Sequence, residues 1–250
     1  PRLSRLQMSA ALPSGDAPVV IGWQSEMGAL VVRQMGAGPE GYTGYLTGGA
    51  ASEPIPRTGT VQQSAAKVFL DYVAIGFEHI IPKGLDHILF VLGLFFLAMR
   101  LRPLLWQISA FTLAHTITLA MGMLGLVTVP AAVVEPLIAA SIVYVGVENV
   151  LTRGLSPWRP AVVFGFGLLH GLGFASVLTD IGLAPSLFVT GLIGFNIGVE
   201  LGQLAVIAAA FLLVGYWFGR KPWYQSLIAN PASIAIALIG AYWVVERTIL

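Results

Sequence analysis

From residue 84 onward the chain carries six long apolar runs, near 84–99, 103–126, 130–152, 160–180, 187–215 and 226–247. A helix needs roughly 20 residues to cross the hydrocarbon core. Inside lipid, only helices and closed barrels satisfy their own backbone groups. The runs therefore predict an all-α polytopic membrane protein with about six transmembrane helices. The first run is short. The fifth is long enough to require tilting, bending or projection from the bilayer. Composition agrees: 56% of residues are hydrophobic and 10% are charged, against roughly 25% charged in soluble domains. A net charge of +1 gives no reason to expect a nucleic-acid partner. Cysteine is absent, which removes thiolate ligands and disulfides.

Two segments precede the first run. Residues 66–82 are apolar, with Asp71 and Glu78 about two helical turns apart. They predict an amphipathic interfacial helix at the membrane face, stopped by Pro82 and Gly84. Residues 1–65 read as a small N-terminal β domain and its linker, with 66–250 as the transmembrane helical domain. Val19–Trp23, Ala29–Val32 and Tyr42–Leu46 are short β-prone stretches separated by Gly, Pro and polar residues.

Charge sets an expected orientation. Arg100 and Arg102, Arg153 and Arg159, and Arg220 and Lys221 lie in alternate loops, whereas 127–130 and 181–186 have no Lys or Arg. The positive-inside rule places the basic loops in the cytoplasm and the β domain outside. The expected location is a bacterial inner membrane, the N-terminal domain exported behind a removed signal peptide.

Ionisable groups in apolar spans are costly and generally face a polar interior. His79, Asp86 and His87 form a first group around the Pro/Gly break. They are expected to meet at the outer mouth as metal ligands. Equally, Asp86 suits a first helical turn, and an interfacial His needs no metal. A second group is an internal echo. Phe111–His115 and Phe166–His170 match in Phe, Leu and His at equal offsets, and Gly146–Glu148 is echoed by Gly198–Glu200. Spans 2–3 and 4–5 then read as parallel repeats with a site between them. Asn196, Glu200 and Gln203 line one helical face. Such a stripe marks either a cavity or interhelical hydrogen bonds. Thr112, Thr116 and Asn149 are candidates for the same polar core. Gly165, Gly167, Gly171, Gly173, Ala175 and Ser176 predict close helix packing in span 4. No phosphate loop, dinucleotide fingerprint or Gly-x-Ser-x-Gly elbow occurs.

Over residues 76–205 the chain resembles the HupE/UreJ family of hydrogenase and urease accessory membrane proteins. The resemblance rests on Gly84-x-Asp86-His87 with Ile88-Leu89-Phe90, Phe111–Thr116, His170-Gly171-x-Gly173-Phe174-Ala175, and Asn196–Glu200. It is closest to a branch with an exported N-terminal domain. The family's first motif has Pro after its first His and one residue fewer before Gly; here Ile80 follows His79. The resemblance implies metal handling, nickel first.

The reading is a membrane permease or metal-handling protein for a divalent transition metal. Nickel is favoured, with zinc, cobalt or copper as other cargoes. His79, Asp86 and His87 would capture the ion, His115, His170 and Glu200 would relay it, and Glu148 would lie nearer the exit. Asn149, Asn196, Gln203, Thr112 and Thr116 would line the pathway. Two alternatives stand beside it. One is a membrane-embedded zinc hydrolase. The other is an accessory subunit docking a periplasmic protein through residues 1–65.

Overall fold

The computed structural model describes residues 11–60, 63–97, 99–152, 154, 156–181 and 183–249, without the side chains of residues 176, 180 and 181. Arg153, one of the expected loop cations, and Ser176, one of the expected packing residues, fall outside that description. The chain divides into two units, Pro1–Gln62 and Gln63–Leu250.

In the first unit, β1 (Leu30–Arg33) pairs antiparallel with β2 (Thr43–Leu46), Leu30 opposite Leu46. Val32, Tyr42, Leu46 and Ile55 form its buried cluster, with Ile21, Trp23 and Leu30 against them. The expected strand at 19–23 is reduced to two bridges, Val19 to Ile55 and Gly22 to Ala51.

The second unit is helical. It comprises α1 (Ala65–Ile80), α2 (Leu85–Leu97), α3 (Leu101–Met123), α4 (Ala131–Leu151), α5 (Arg159–Ile181), α6 (Phe188–Ala210), the short α7 (Tyr216–Phe218) and α8 (Asn230–Ile249). π-helical turns at Phe211–Gly215 and Gln225–Ala229 end α6 and begin α8. Four described helices are long and apolar enough to cross a membrane, or five when α1 and α2 count as one broken span. Large apolar side chains such as Leu113, Leu137, Val189, Leu201 and Leu238 point outward, as lipid contact allows. The protein is a multi-pass membrane protein.

Glycine decides which helices touch. On α6, Gly194, Gly198 and Gly202 face Phe69, Val73 with Phe77, and Ile80 of α1. Partner numbers rise together, so α1 and α6 run parallel in close contact. α1 thus lies lengthwise in the bundle, rather than as a separate helix on the membrane face. Its charges are settled locally, Lys67 with Asp71 at 2.7 Å and Lys83 with Glu78 at 2.6 Å. α3 and α5 also run parallel: Gly167 abuts Phe111, Gly171 abuts His115, and Gly122 abuts Ala175. Thr118 Oγ1 donates to the Leu168 carbonyl at 2.8 Å across this contact. α4 and α8 are antiparallel, Gly146 against Ser233 and Gly240 against Ala139.

The break between α1 and α2 turns the chain by 72°. The Lys83 and Gly84 N–H groups donate back to the Glu78 and Ile80 carbonyls. A methyl group at Gly84 would collide with the His79 carbonyl. α2 consequently starts beside the last turn of α1.

Candidate metal centre

That break delivers three of the expected residues to one place. The His79 and His87 ring centroids are 4.8 Å apart. Asp86, in the first turn of α2, accepts from the His87 backbone N–H at 2.8 Å, and its Oδ1 lies 3.0 Å from His87 Nδ1. The close α3–α5 pair brings the other two histidines. His170 Nδ1 is 3.3 Å from His87 Nε2. His115 has its ring centroid 5.9 Å from His87 and 6.1 Å from His79. All four histidines of the chain and Asp86 therefore form one cluster, not an outer group followed by an inner one. His87, His115 and His170 are 3%, 0% and 1% exposed, so this is the interior of the bundle.

Two triads have ligand atoms within 4.8 Å of one another: His79, His87 and His115, and Asp86, His87 and His170. Both include His87. The rings are held from behind. His115 Nδ1 faces Asn196 Oδ1 at 3.3 Å, while Asn196 Nδ2 donates to the Leu192 carbonyl at 2.8 Å. Ser141 Oγ lies 3.3 Å from His170 Nε2 and donates to the Ile138 carbonyl at 2.7 Å. This leaves His79 Nε2 and His115 Nε2 buried without a hydrogen-bond partner, which is costly for polar atoms and suits ligand atoms. Phe174 sits 3.9 Å from the His79 ring, and Phe111 packs 4.9 Å from His170.

A cavity of about 210 Å³ reaches the cluster. His79, Asp86, His87 and His170 line it together with exposed Glu135 and the half-buried Arg247. These last two mark its mouth, near the start of α4 and the end of α8.

The remaining expected residues lie elsewhere. Glu200 accepts from Ser109 Oγ at 2.7 Å in a lateral groove between α3 and α6 that also holds Thr112, Thr116 and Asn196. The expected approach of Glu200 to the histidines is not seen; it shares a face with Asn196 but lies one turn further along α6, at the level of Ser109 rather than His115. Thr112 Oγ1 donates to Gln203 Oε1 at 3.1 Å. Glu148 and Asn149 belong to a third site with Arg159, which is 2% exposed. Arg159 donates to Glu148 Oε2 at 2.8 Å, Gln107 Oε1 at 2.9 Å and Asn149 Oδ1 at 3.4 Å. Sequence reasoning counted Arg159 as a loop cation and missed Ser141, Gln107 and Glu135. A cation directly before Pro160 at a helix start, with Glu148 in the preceding span, was the available signal.

Fold and cluster together define a polytopic helical membrane protein with a buried histidine–carboxylate site. The family model described as HupE / UreJ protein matches residues 56–247, and the chain belongs to that family. Membership makes it a metal-related accessory membrane protein. No curated protein and no solved structure matches the chain.

Proposed function

We propose that the protein is a permease for a divalent transition metal, nickel first, in a bacterial inner membrane. The observation that carries this is the convergence of every histidine in the chain on His87. Imidazole nitrogen suits nickel, zinc, copper and iron, and the absence of thiolate disfavours the softest ions.

The donor set supports a single ion. His87 Nδ1 is turned to Asp86, so only its Nε2 is free to bind. His79 Nε2 and His115 Nε2 lack other partners, and His170 Nδ1 faces His87 Nε2. Two nitrogens bonded to one metal at 2.0–2.1 Å lie roughly 3.3–3.4 Å apart in a tetrahedral zinc site and roughly 2.8–3.0 Å apart at the 90° angle of a nickel site. The His87 to His170 separation of 3.3 Å brings both nitrogens within reach of one ion. Asp86 is then the orienting carboxylate behind a metal-bound imidazole, which fixes its tautomer and raises its basicity. Glu200 and Glu148 are not part of this set.

The orientation we assign follows from loop charge. Leu97, Thr152, Gly154 and Pro222 line one cavity, so the three basic loops gather at one end. That end is cytoplasmic under the positive-inside rule. The mouth at Glu135 and Arg247, and the start of α1, then face the periplasm, with residues 1–62 there.

The test is uptake into proteoliposomes. Purified protein should carry Ni²⁺ inward, and His87→Ala should abolish uptake while leaving the protein folded. Tight, non-exchanging Zn²⁺ with hydrolytic turnover and no uptake would instead support an enzyme. Absence of any metal with a stoichiometric periplasmic partner would support a docking subunit.

A further inference from the structure

α4 is a ruler through the molecule. Glu135 stands at the mouth, Ser141 at the histidine cluster, and Glu148 and Asn149 at the Arg159 site. At 1.5 Å per residue these levels are about 9 Å and about 10 Å apart. Beyond Asn149 lies a second cavity of about 540 Å³, lined by Asn149, Thr152, Gln225, Ser226 and Asn230 among others. The two cavities thus lie on opposite sides of the cluster, and what separates them can be named layer by layer.

The first layer is aromatic. Phe90 follows His87 by about one turn, and Phe111 and Phe166 precede His115 and His170 by about one turn. Phe90 packs 5.1 Å from Phe111 and 5.9 Å from Phe166. Phe90 and Phe111 are 0% and 1% exposed. The cluster is therefore closed on the side away from Glu135.

The second layer is the Arg159 site. Three side-chain oxygens from α3 and α4 converge on the guanidinium of α5. Asn149 extends the tie, donating to the Gly93 carbonyl of α2 at 2.7 Å and to Ser233 of α8 at 3.1 Å. Arg159 and Asn149 together join five helices. A guanidinium keeps its charge even when buried. It occupies an oxygen-lined position that would otherwise attract a metal ion, and it engages the Glu148 carboxylate there. The adjoining polar cavity offers the side chain somewhere to go. The π-helical turns at Phe211–Gly215 and Gln225–Ala229 flank the same end, and such turns recur at functional sites.

We infer that Arg159 and Glu148 form an inner gate: the guanidinium plugs the exit below the histidine cluster and ties α3 and α5, which carry Phe111 and Phe166, so that breaking the pair lets the aromatic layer part and opens the cluster to the second cavity. The inference rests on the permease reading.

Thiol accessibility tests it without metal, in a chain that has no cysteine of its own. Ile138→Cys places a thiol in the wall of the cavity that His87, His170 and Glu135 line. In sealed vesicles a membrane-impermeant maleimide should label it from the Glu135 side only. In Arg159→Gln and in Glu148→Gln, labelling from the opposite side should rise about tenfold or more, as a shifted open population requires. Glu148→Gln retains shape and an acceptor oxygen, so it is the gentler variant. Ala139→Cys, buried in the α4–α8 contact, should stay unreactive in both. Unchanged one-sided labelling, two-sided labelling in the parent, or loss of protection at Ala139→Cys in both variants would overturn the gate. The last would make the pair a structural tie. One-sided labelling that responds to the variants, together with absent Ni²⁺ uptake, would instead fault the metal reading.

Discussion

Asp86→Asn isolates one contribution to the cluster. Asp86 Oδ1 faces both the His87 N–H and Nδ1, at 2.8 and 3.0 Å. Asparagine keeps an oxygen in that place, so the ring stays oriented and only the carboxylate charge is lost. Removing such a partner behind a metal-bound imidazole costs about 10- to 100-fold in affinity, or about 1.4–2.7 kcal/mol. Asp86→Ala also removes the acceptor and frees the ring, so it should fall further. His87→Ala should abolish binding, because both triads depend on it. Competition against a chromogenic chelator in detergent reads all three affinities. Two outcomes would refute the reasoning. Parent-like affinity in Asp86→Asn would mean the carboxylate does nothing. A loss equal to that of His87→Ala would make Asp86 a direct ligand.

The other expectations are simpler. Gly198→Ala directs a methyl group into the Val73 carbonyl and the Phe77 N–H of α1. Backbone cannot step aside as a side chain can, so overpacking should cost about 1–3 kcal/mol, measurable as earlier thermal unfolding in detergent; an unchanged melt would contradict the α1–α6 contact. Glu200→Gln should leave Ni²⁺ affinity unchanged in the same chelator assay, since Glu200 bonds Ser109 and not the cluster. Binding should weaken as pH falls, because imidazole must be unprotonated to hold a metal. An affinity that stays unchanged down to the pH at which the protein unfolds, measured by the same competition, would argue against histidine ligands.

Much of the architecture was legible because lipid leaves few choices. Each of the six apolar runs contains a helix, and the Phe-x-x-x-His echo anticipated the parallel α3–α5 pair. The echo misled in its second half. Glu148 sits at the end of α4 with Arg159, whereas Glu200 lies mid-helix beside Ser109. Spacing along one helix does not say which neighbour a polar residue meets. The single cluster was hidden for a related reason. Whether His79 and His87 stay at the mouth or enter the bundle depends on how deeply α1 docks. The Gly194, Gly198 and Gly202 stripe on α6 sets that depth, and it is a tertiary contact. Arg159 looked like a surface cation because charge counts carry no information about burial.

Metal content after equilibrium dialysis against Ni²⁺ puts the central claim to the most direct test. Sharing of His87 between the two triads, with its Nδ1 held by Asp86, leaves room for one ion. The purified parent protein should retain one Ni²⁺ per chain, and His87→Ala, folded and monodisperse, should retain none. A parent that holds no metal, or a His87→Ala variant that holds as much as the parent, would contradict a metal site built on His87.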